Sequence, residues 1–338
     1  MGRKAAVTAV LACLALAVAP LAPAAPGGIG PPDPSTGSGE AISQLYWFVF
    51  AICAVVFVGV EAALVLFVIR FRRRRTGTAE EEGPQIHGNT RLEIIWTIIP
   101  ALILVAVAVV VLVRIPAVQA TSDGEEPDLR VRVEAHQFYW QYVYPNGAVS
   151  LDRLVLPVDR LVELELTSFD VNHSWWVPEL TGKRDAIAGR TNTLRFRPDD
   201  EGTYEGECAE LCGILHAVMP TDVEVVSASE YETWLAQQEG QRSGEGQMAL
   251  GRATWESVCA DCHGPQGEGD VGPAVAGNGT LTSLEPLREL LENGRNEPDV
   301  EGYMPPVGRN WPDFQYQALV AFVESSRNLA PEGGQDGG

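Results

Sequence analysis

The chain has 338 residues and a formal net charge of −21. That length allows two or three domains. The strong acidity excludes nucleic acid as a natural partner and suits a basic protein partner instead. The cysteines include two close pairs, Cys208 with Cys212 and Cys259 with Cys262. Close pairs at these spacings indicate cofactor attachment rather than a disulfide framework.

The N-terminal part of the chain is dominated by apolar runs. Residues 1–25 join two basic residues to such a run, which predicts a secretory signal peptide, and residues 26–41 predict a flexible lead-in. The runs at 42–70 and 94–115 are each long enough to cross a bilayer as a helix. The arginine-rich start of the loop at 71–93 places that loop on the cytoplasmic side. We therefore expect a transmembrane hairpin in the lipid bilayer, with both outer ends outside.

A β-rich segment follows the second apolar run. Apolar and polar residues alternate with period two at 129–134 and 193–197, and Pro and Gly separate the runs. Short strands with candidate metal ligands late in the segment are typical of a Greek-key sandwich of the cupredoxin kind. We assign 128–236 to such a domain, in which His136 is expected to be a hydrogen-bonded strand residue. The polar, Gly-containing stretch at 237–246 predicts a linker.

The β-rich segment ends in a cluster of soft metal ligands. Cys208, Cys212, His216 and Met219 follow one another at intervals of three or four residues. Thiolate, imidazole and thioether together suit copper, and two thiolates can bridge two copper ions. Each ion then needs a terminal nitrogen, for which His216 and the earlier His173 are the candidates. A structural zinc site of two Cys and two His is the alternative. Met219 disfavours it, because zinc has little use for a thioether.

This cluster resembles the binuclear copper A loop of cytochrome c oxidase subunit II. The family pattern is Cys-x-Glu-x-Cys-x-x-x-His-x-x-Met, and the chain matches it at every ligand position. The resemblance implies bridging Cys208 and Cys212, terminal His173 and His216, and two weak axial ligands, Met219 and the backbone carbonyl of Glu210. It also implies that the Glu210 carboxylate faces subunit I and a magnesium site shared with it.

A second motif of the same family opens the second apolar run. Glu93, Trp96, Thr97 and Pro100 match the family pattern Glu-x-x-Trp-Thr-x-x-Pro. In the family this Glu stands at the mouth of a proton path into subunit I, so the resemblance makes Glu93 the candidate for that role. Considered alone, Glu93 is an ordinary acid at a helix start, where it complements the helix dipole.

The C-terminal part carries a haem c attachment motif, Cys259-Ala-Asp-Cys262-His263. The two thiols add to the haem vinyl groups, and the adjacent histidine is held at the iron. Met304 is the candidate sixth ligand, because no His follows His263 and each other Met is ahead of this motif. A Met in a proline-fixed loop resembles the axial ligand of class I cytochromes c. We therefore assign 247–328 to an α-helical cytochrome c domain.

The last domain is acidic. From Gln241 to the end the chain has six Arg, no Lys and fifteen acidic residues, and 329–338 predicts a flexible tail. An acidic haem domain can dock a basic electron donor, although a merely solvated acidic surface is the alternative. The family usually has Trp where Phe138 stands, and that Trp receives electrons from soluble cytochrome c. The departure at Phe138 favours a haem domain that receives the electrons first.

The sequence thus predicts a multidomain membrane protein with a two-helix hairpin, a cupredoxin-like sandwich and a helical cytochrome c domain. The resemblance implies that the chain is subunit II of a cytochrome c oxidase in a bacterial cell membrane, and that electrons enter the oxidase through it. A basic or membrane-bound cytochrome c-type donor would supply electrons, which pass through haem c and copper A to the haem of subunit I. Oxygen reduction and proton pumping would then occur in subunit I, with no catalytic residue in this chain.

Two other classes of protein are kept as alternatives. One is a membrane-anchored copper and haem electron carrier that serves another reductase. The other is a structural subunit of a quinol oxidase, which shares the hairpin and the sandwich but lacks the copper ligands. The intact ligand set argues against the second class, and the motif at Glu93 argues against the first.

Overall fold

The computed structural model describes residues 30–71, 85, 87–118, 125–295, 303–326 and 329. The predicted signal peptide, the arginine run after Phe71 and residues 330–338 lie outside the described residues. The chain divides into two units. One contains the two long helices, and the other contains the residues from 125 onward together with Pro34–Gly39.

The first unit consists of helices α1 (Gly37–Phe71) and α2 (Thr90–Val118). Their 35 and 29 residues extend about 52 Å and about 44 Å, more than the roughly 30 Å of a bilayer core. Both helices begin before the predicted apolar runs. The earlier start of α2 has a local cause, because the side-chain oxygen of Asn89 accepts a hydrogen bond from the Leu92 N–H at 3.2 Å. No described residue of α2 is buried, as expected for a lipid-facing helix.

The second unit begins with a β domain of two layers, which we define as residues 129–226. Its strands are β1 (Leu129–His136), β2 (Tyr139–Val143), β3 (Val149–Leu151), β4 (Arg153–Pro157), β5 (Val162–Ser168), β6 (His173–Trp176), β7 (Arg184–Ala186), β8 (Asn192–Phe196), β9 (Gly202–Tyr204), β10 (Glu207–Cys208) and β11 (Asp222–Val226). The strand orders are β3-β2-β1-β5-β8, β10-β6-β7 and β4-β11-β9. Strand β1 pairs with β2 in antiparallel and with β5 in parallel orientation.

The C-terminal half of strand β1 is buried on both of its faces. Val131, Val133 and Ala135 are fully buried in the core of the β domain, as their alternation predicts. Glu134 and His136 lie on the opposite face of the strand and are also buried. The helical domain, residues 228–326, covers that face. Tyr139, Val149 and Leu151 of the β domain share an apolar cluster with it.

The helical domain follows strand β11 directly. Its helices are α3 (Ala228–Gln238), α4 (Gly244–Thr254), α5 (Ala260–His263), α6 (Leu284–Asn293) and α7 (Asp313–Ser325), and a π-helical turn, Trp255–Cys259, joins α4 to α5. Helices α4 and α7 cross closely. A Cβ added at Gly251 would lie 2.1 Å from the Ala318 carbonyl oxygen, so only glycine permits this crossing.

The segment predicted to be a linker, 237–246, is helical in the structure. Helix α3 extends to Gln238, a 3₁₀ turn spans Glu239–Arg242, and α4 begins at Gly244. Buried Gln241 accepts a hydrogen bond from the Val149 N–H at 2.9 Å and donates one to the Val149 carbonyl at 2.6 Å. Its amide thus satisfies both backbone groups of an edge residue of the sheet, which fixes the segment against the β domain.

Part of the predicted flexible lead-in at 26–41 is also held in place. The Ser35 N–H donates to the Glu179 carbonyl at 2.9 Å, and the Asp199 N–H donates to the Ser35 carbonyl at 3.0 Å. Thr36 is buried beside these contacts. Composition alone predicted flexibility here, and backbone pairing with the β domain overrides it.

Candidate redox centres

The first centre lies where strands β6 and β10 meet the loop that leads to β11. Cys208 pairs with Trp175 in the β6–β10 ladder, which places it beside His173 at the start of β6. The Cys208 N–H donates to the Met219 carbonyl at 3.0 Å, so the loop returns to the strand from which it left. A 3₁₀ turn, His216–Val218, closes the loop.

The structure brings together all the donor atoms that the sequence singled out for the first centre. The contacts are Cys208 Sγ to His173 Nδ1 at 3.9 Å, to Cys212 Sγ at 3.9 Å and to the Glu210 carbonyl at 3.3 Å, and Cys212 Sγ to His216 Nδ1 at 3.7 Å and to Met219 Sδ at 3.9 Å. Both cysteines are free thiols and buried. Two thiols, two imidazoles and a thioether in one cluster fit copper better than any hard cation.

The two thiols influence each other's ionisation. The hydrogen bond between the sulfurs lowers the pKa of Cys208 to about 3 and raises the pKa of Cys212 above its ordinary value. One sulfur is therefore a ready metal ligand, and the second must lose its proton as a metal binds.

Two residues outside the predicted set support the centre. The His173 Nε2–H donates to Asp170 Oδ1 at 2.8 Å, which leaves Nδ1 unprotonated on the side of Cys208. Gln137 donates through its Nε2 to the Cys212 carbonyl at 2.6 Å, and its own N–H donates to Asp170 Oδ2 at 2.6 Å. The pair thus holds one ligand from β6 and one from the loop in fixed positions.

The Glu210 side chain points away from the cluster. Its carboxylate is about half exposed and lies 3.8 Å from Lys183 Nζ. Lys183 also donates to the Ala209 carbonyl at 3.3 Å. The backbone of Glu210 therefore belongs to the sulfur and nitrogen cluster, while its side chain is available to a neighbouring molecule.

The second centre is a cavity of about 1250 Å³ in the helical domain. Cys259, Cys262, His263 and Met304 all line it. The His263 Nδ1–H donates to the Pro273 carbonyl at 2.7 Å, which leaves Nε2 free as a ligand atom. A Cβ added at Gly272 would lie 3.0 Å from the His263 ring, so a glycine is needed beside it. A thiol pair, an oriented imidazole and a thioether around one large apolar cavity fit a covalently attached haem.

One wall of this cavity belongs to the β domain. Phe138, Ile214 and Leu215 line it from that side. A Cβ added at Gly213 would lie 2.8 Å from Phe138 ring atoms, so the ring packs directly on the residue that follows Cys212. The two candidate centres are therefore separated by this ring and a short piece of the ligand loop.

Glu93 lies in the other unit, in the first turn of α2. Its Oε1 accepts a hydrogen bond from the Asn89 N–H at 3.1 Å. The Thr97 hydroxyl donates to the Glu93 carbonyl at 2.8 Å. The side chain is exposed and caps its own helix in the described structure, so the geometry of this chain alone gives it a helix-start role.

Comparisons with known proteins cover most of the chain. Residues 24–113 match the family model described as cytochrome c oxidase subunit II, transmembrane domain, and 148–226 match its periplasmic domain. Residues 246–323 match the model described as cytochrome c oxidase, cbb3-type, subunit III. A cytochrome c oxidase subunit 2 of Alkalihalophilus pseudofirmus is 33% identical over 297 residues, which cover 82% of this chain and 85% of the relative. The chain belongs to the cytochrome c oxidase subunit II family.

Other members of the subunit II family are similarly related. The subunit 2 of Cereibacter sphaeroides is 32% identical over 63% of this chain and 83% of its own length. The crystal structure of the periplasmic domain of subunit II from Bradyrhizobium japonicum covers 35% of this chain and 97% of its own, with 29% identity and a TM-score of 0.34.

Family membership establishes the class of the protein. The chain is a subunit of a haem–copper oxidase complex, anchored to the membrane by its helices, with a cupredoxin-like periplasmic domain and a fused cytochrome c domain. The subunit II family implies copper A, and the C-terminal domain implies haem c. The predicted fold class and the predicted function, in which electrons enter an oxidase through this subunit, are confirmed.

Sequence reasoning missed the supporting residues of the first centre. Asp170 stands only three residues before His173, so the local sequence could have suggested it as a hydrogen-bond partner of that histidine. Gln137 lies 75 residues from the carbonyl that it binds, and nothing in the local sequence points to it. Tyr139 was also missed: its hydroxyl contacts the helical domain, at a residue 168 positions along the chain.

We expect Asp170→Asn to weaken copper binding about ten- to a hundredfold, because removing an outer partner of a metal-bound histidine has that effect. An asparagine can present its NH₂ group to Nε2 and so favour the wrong ring tautomer. Competition with a copper chelator, followed by the visible spectrum, measures the change. Asp185→Asn is the matched control, since Asp185 accepts from Ser174 at 2.7 Å and touches no ligand ring. Equal affinities for wild type and Asp170→Asn would contradict the assigned role.

Proposed function

We propose that this chain is the electron-accepting subunit of its oxidase, with a fixed order of carriers. The two groups, when bound, supply one-electron carriers in series: electrons come from an external cytochrome c-type donor to haem c, go on to copper A, and then reach the haem of subunit I. The order of carriers is supported by the cavity wall that the two domains share. Phe138 and Ile214 of the β domain line the cavity that also contains the haem attachment residues.

The copper centre is proposed to hold two copper ions. Cys208 and Cys212 would bridge them, His173 and His216 would be the terminal ligands, and Met219 with the Glu210 carbonyl would be the weak axial ligands. The contacts of 3.3–3.9 Å between these donor atoms support the assignment. The presence of a second thiol supports two ions over one, because a single copper needs only one cysteine.

The haem is proposed to be attached through Cys259 and Cys262, with His263 and Met304 as axial ligands. His263 is supported by the hydrogen bond from its Nδ1 to Pro273, which orients the ring. Met304 is supported by its place on the cavity wall and by its backbone pairing with Arg295, at 2.9 Å and 3.0 Å. A His/Met pair gives haem a high reduction potential.

The side of the copper centre that carries Glu210 is proposed to face subunit I. The exposed carboxylate of Glu210 is a suitable ligand for a magnesium ion shared between the two subunits, since Mg²⁺ prefers oxygen donors. Leu211, the residue after Glu210, is highly exposed, at 78%. A large exposed apolar side chain beside a carboxylate fits a surface that other oxidase subunits cover.

The chain is proposed to cross the bacterial cell membrane twice, with the β domain and the helical domain on the outer face. The lengths of α1 and α2 support two spans. Arg70 at the end of α1 supports a cytoplasmic location for that end. Glu93, at the start of α2, would then lie on the cytoplasmic side, where it is proposed to admit protons to a path in subunit I.

The two-copper assignment predicts the electron paramagnetic resonance of the purified full chain. The oxidised centre should show one unpaired electron shared by two copper nuclei, and Cys212→Ser should lose that signal, because one sulfur cannot bridge both ions symmetrically. Metal analysis of the same sample should give about two copper ions per haem. A single-copper hyperfine pattern in the wild type, or zinc as the bound metal, would exclude the proposed centre.

The order of carriers predicts the order of reduction on rapid mixing with a reduced donor. Haem c should be reduced before copper A in the wild-type complex. Met304→Ala should stall reduction of copper A by the donor, because loss of the thioether lowers the haem potential. Its resting copper A spectrum should stay normal. If copper A is reduced first in the wild type, the donor bypasses the haem domain and the proposed order is wrong.

The role of Glu93 predicts a turnover defect without a cofactor defect. Glu93→Gln keeps the cap on the Asn89 N–H, since an amide oxygen also accepts, but it cannot carry a proton. Oxygen consumption by the complex should fall, while the copper and haem spectra remain those of the wild type. Glu40→Gln, in the first turn of α1, is a control for the loss of a carboxylate elsewhere. Unchanged oxygen consumption in Glu93→Gln would leave this residue only its helix-start role.

A further inference from the structure

Four hydrogen bonds from the helical domain to the β domain come from one segment, residues 307–311. Val307 accepts from Tyr139, Arg309 donates to the Phe169 carbonyl at 3.0 Å, Asn310 donates to Glu134 at 2.8 Å, and Trp311 donates to Tyr139. This segment begins three residues after Met304. The loop that carries the proposed sixth haem ligand is therefore also the loop that docks on the β domain.

Tyr139 is the centre of this docking contact. Its hydroxyl donates to the Val307 carbonyl at 2.6 Å and accepts from Trp311 Nε1 at 2.7 Å. The side chain is fully buried, and its ring stacks on His136 at a centroid distance of 4.8 Å. A single hydroxyl from strand β2 thus satisfies two buried polar groups of the other domain.

The connection from Val307 back to Met304 is short and stiff. It consists of Pro305 and Pro306, whose rings fix the backbone angle φ. The Val307 N–H also donates to the Pro305 carbonyl at 2.9 Å, which closes a tight turn. A displacement of Val307 therefore moves Met304 with it rather than being absorbed between them.

We propose that Tyr139 is a positioning residue for the sixth haem ligand: by holding Val307 and Trp311, the β domain keeps Met304 in place at the haem. The proposal rests on the assignment of Met304 as that ligand. It makes docking and methionine ligation one coupled equilibrium. Whatever weakens the contact at Tyr139 must weaken ligation by Met304, and the reverse holds as well.

The test uses Tyr139→Phe in the full-length, haem-loaded chain. The substitution keeps the ring and leaves the Val307 carbonyl and the Trp311 N–H buried without a partner, which is costly. Exogenous imidazole displaces a methionine from ferric haem, and the loss of the methionine–iron charge-transfer band reports the displacement. We expect half-displacement at an imidazole concentration about tenfold or more below that of the wild type. The reduction potential of the haem should fall in the same variant.

Tyr142→Phe is the matched control. Tyr142 lies on the same strand, is fully buried, and its hydroxyl also accepts from a tryptophan, Trp175 Nε1 at 3.0 Å. It faces the core of the β domain, so its loss should leave the imidazole titration unchanged. Asn310→Gly provides a second variant on the haem side. It removes the donor to Glu134 while it tolerates the φ of 67° at that position, and we expect a shift in the same direction.

The outcomes separate this proposal from the assignment on which it rests. A shift in Tyr139→Phe and Asn310→Gly but not in Tyr142→Phe supports the positioning role. Wild-type behaviour in Tyr139→Phe and Asn310→Gly overturns it while Met304 remains the ligand, and equal shifts in both tyrosine variants overturn it as general destabilisation. If the wild type itself lacks the methionine–iron charge-transfer band and matches Met304→Ala, Met304 is not the sixth ligand, and the assignment on which the proposal rests is wrong.

Discussion

Burial of a polar sheet face is the constraint on which the second unit depends. Strands β1 to β3 present Glu134, His136 and Tyr139 on the side away from the core, and the helical domain covers them. Buried polar groups need specific partners. Burial raises the pKa of Glu134, and its carboxylate is met by Gln141 at 2.9 Å and by Asn310 at 2.8 Å. Because such bonds are directional, they select one orientation of the helical domain, which apolar contact alone would not do.

His136 meets the same constraint in a different way. It was expected to be a hydrogen-bonded strand residue, and that expectation is wrong: neither ring nitrogen has a partner among the described residues. Burial lowers its pKa to about 3, so the ring stays neutral. It packs between Tyr139 and Phe169, at centroid distances of 4.8 Å and 5.3 Å. The neutral ring is therefore held by stacking between Tyr139 and Phe169, and Phe169 also accepts a hydrogen bond from Arg309 at the same interface.

The sequence predicted those features whose determinants are local. The copper loop and the haem motif carry most of their candidate ligands within a few residues, with His173 and Met304 the exceptions, and the apolar runs are long enough to be recognised alone. It did not predict the docking face, because the alternation in β1 is the same whether its second face meets water or another domain. The prediction of a flexible linker at 237–246 was wrong for a similar reason. The composition of this segment suits a flexible linker, and only the position of Gln241 beside the edge residue Val149 makes it rigid.

This rigidity changes how Phe138 should be understood. A flexible tether would hold the helical domain near the β domain only at an effective concentration of about the millimolar range. Here the half-buried ring of Phe138 instead packs on Gly213 and lines the haem cavity of the helical domain. An indole in such a place would bring an N–H that needs an acceptor, whereas a phenyl ring has no polar group to satisfy. Phenylalanine thus suits a contact between two domains of one chain.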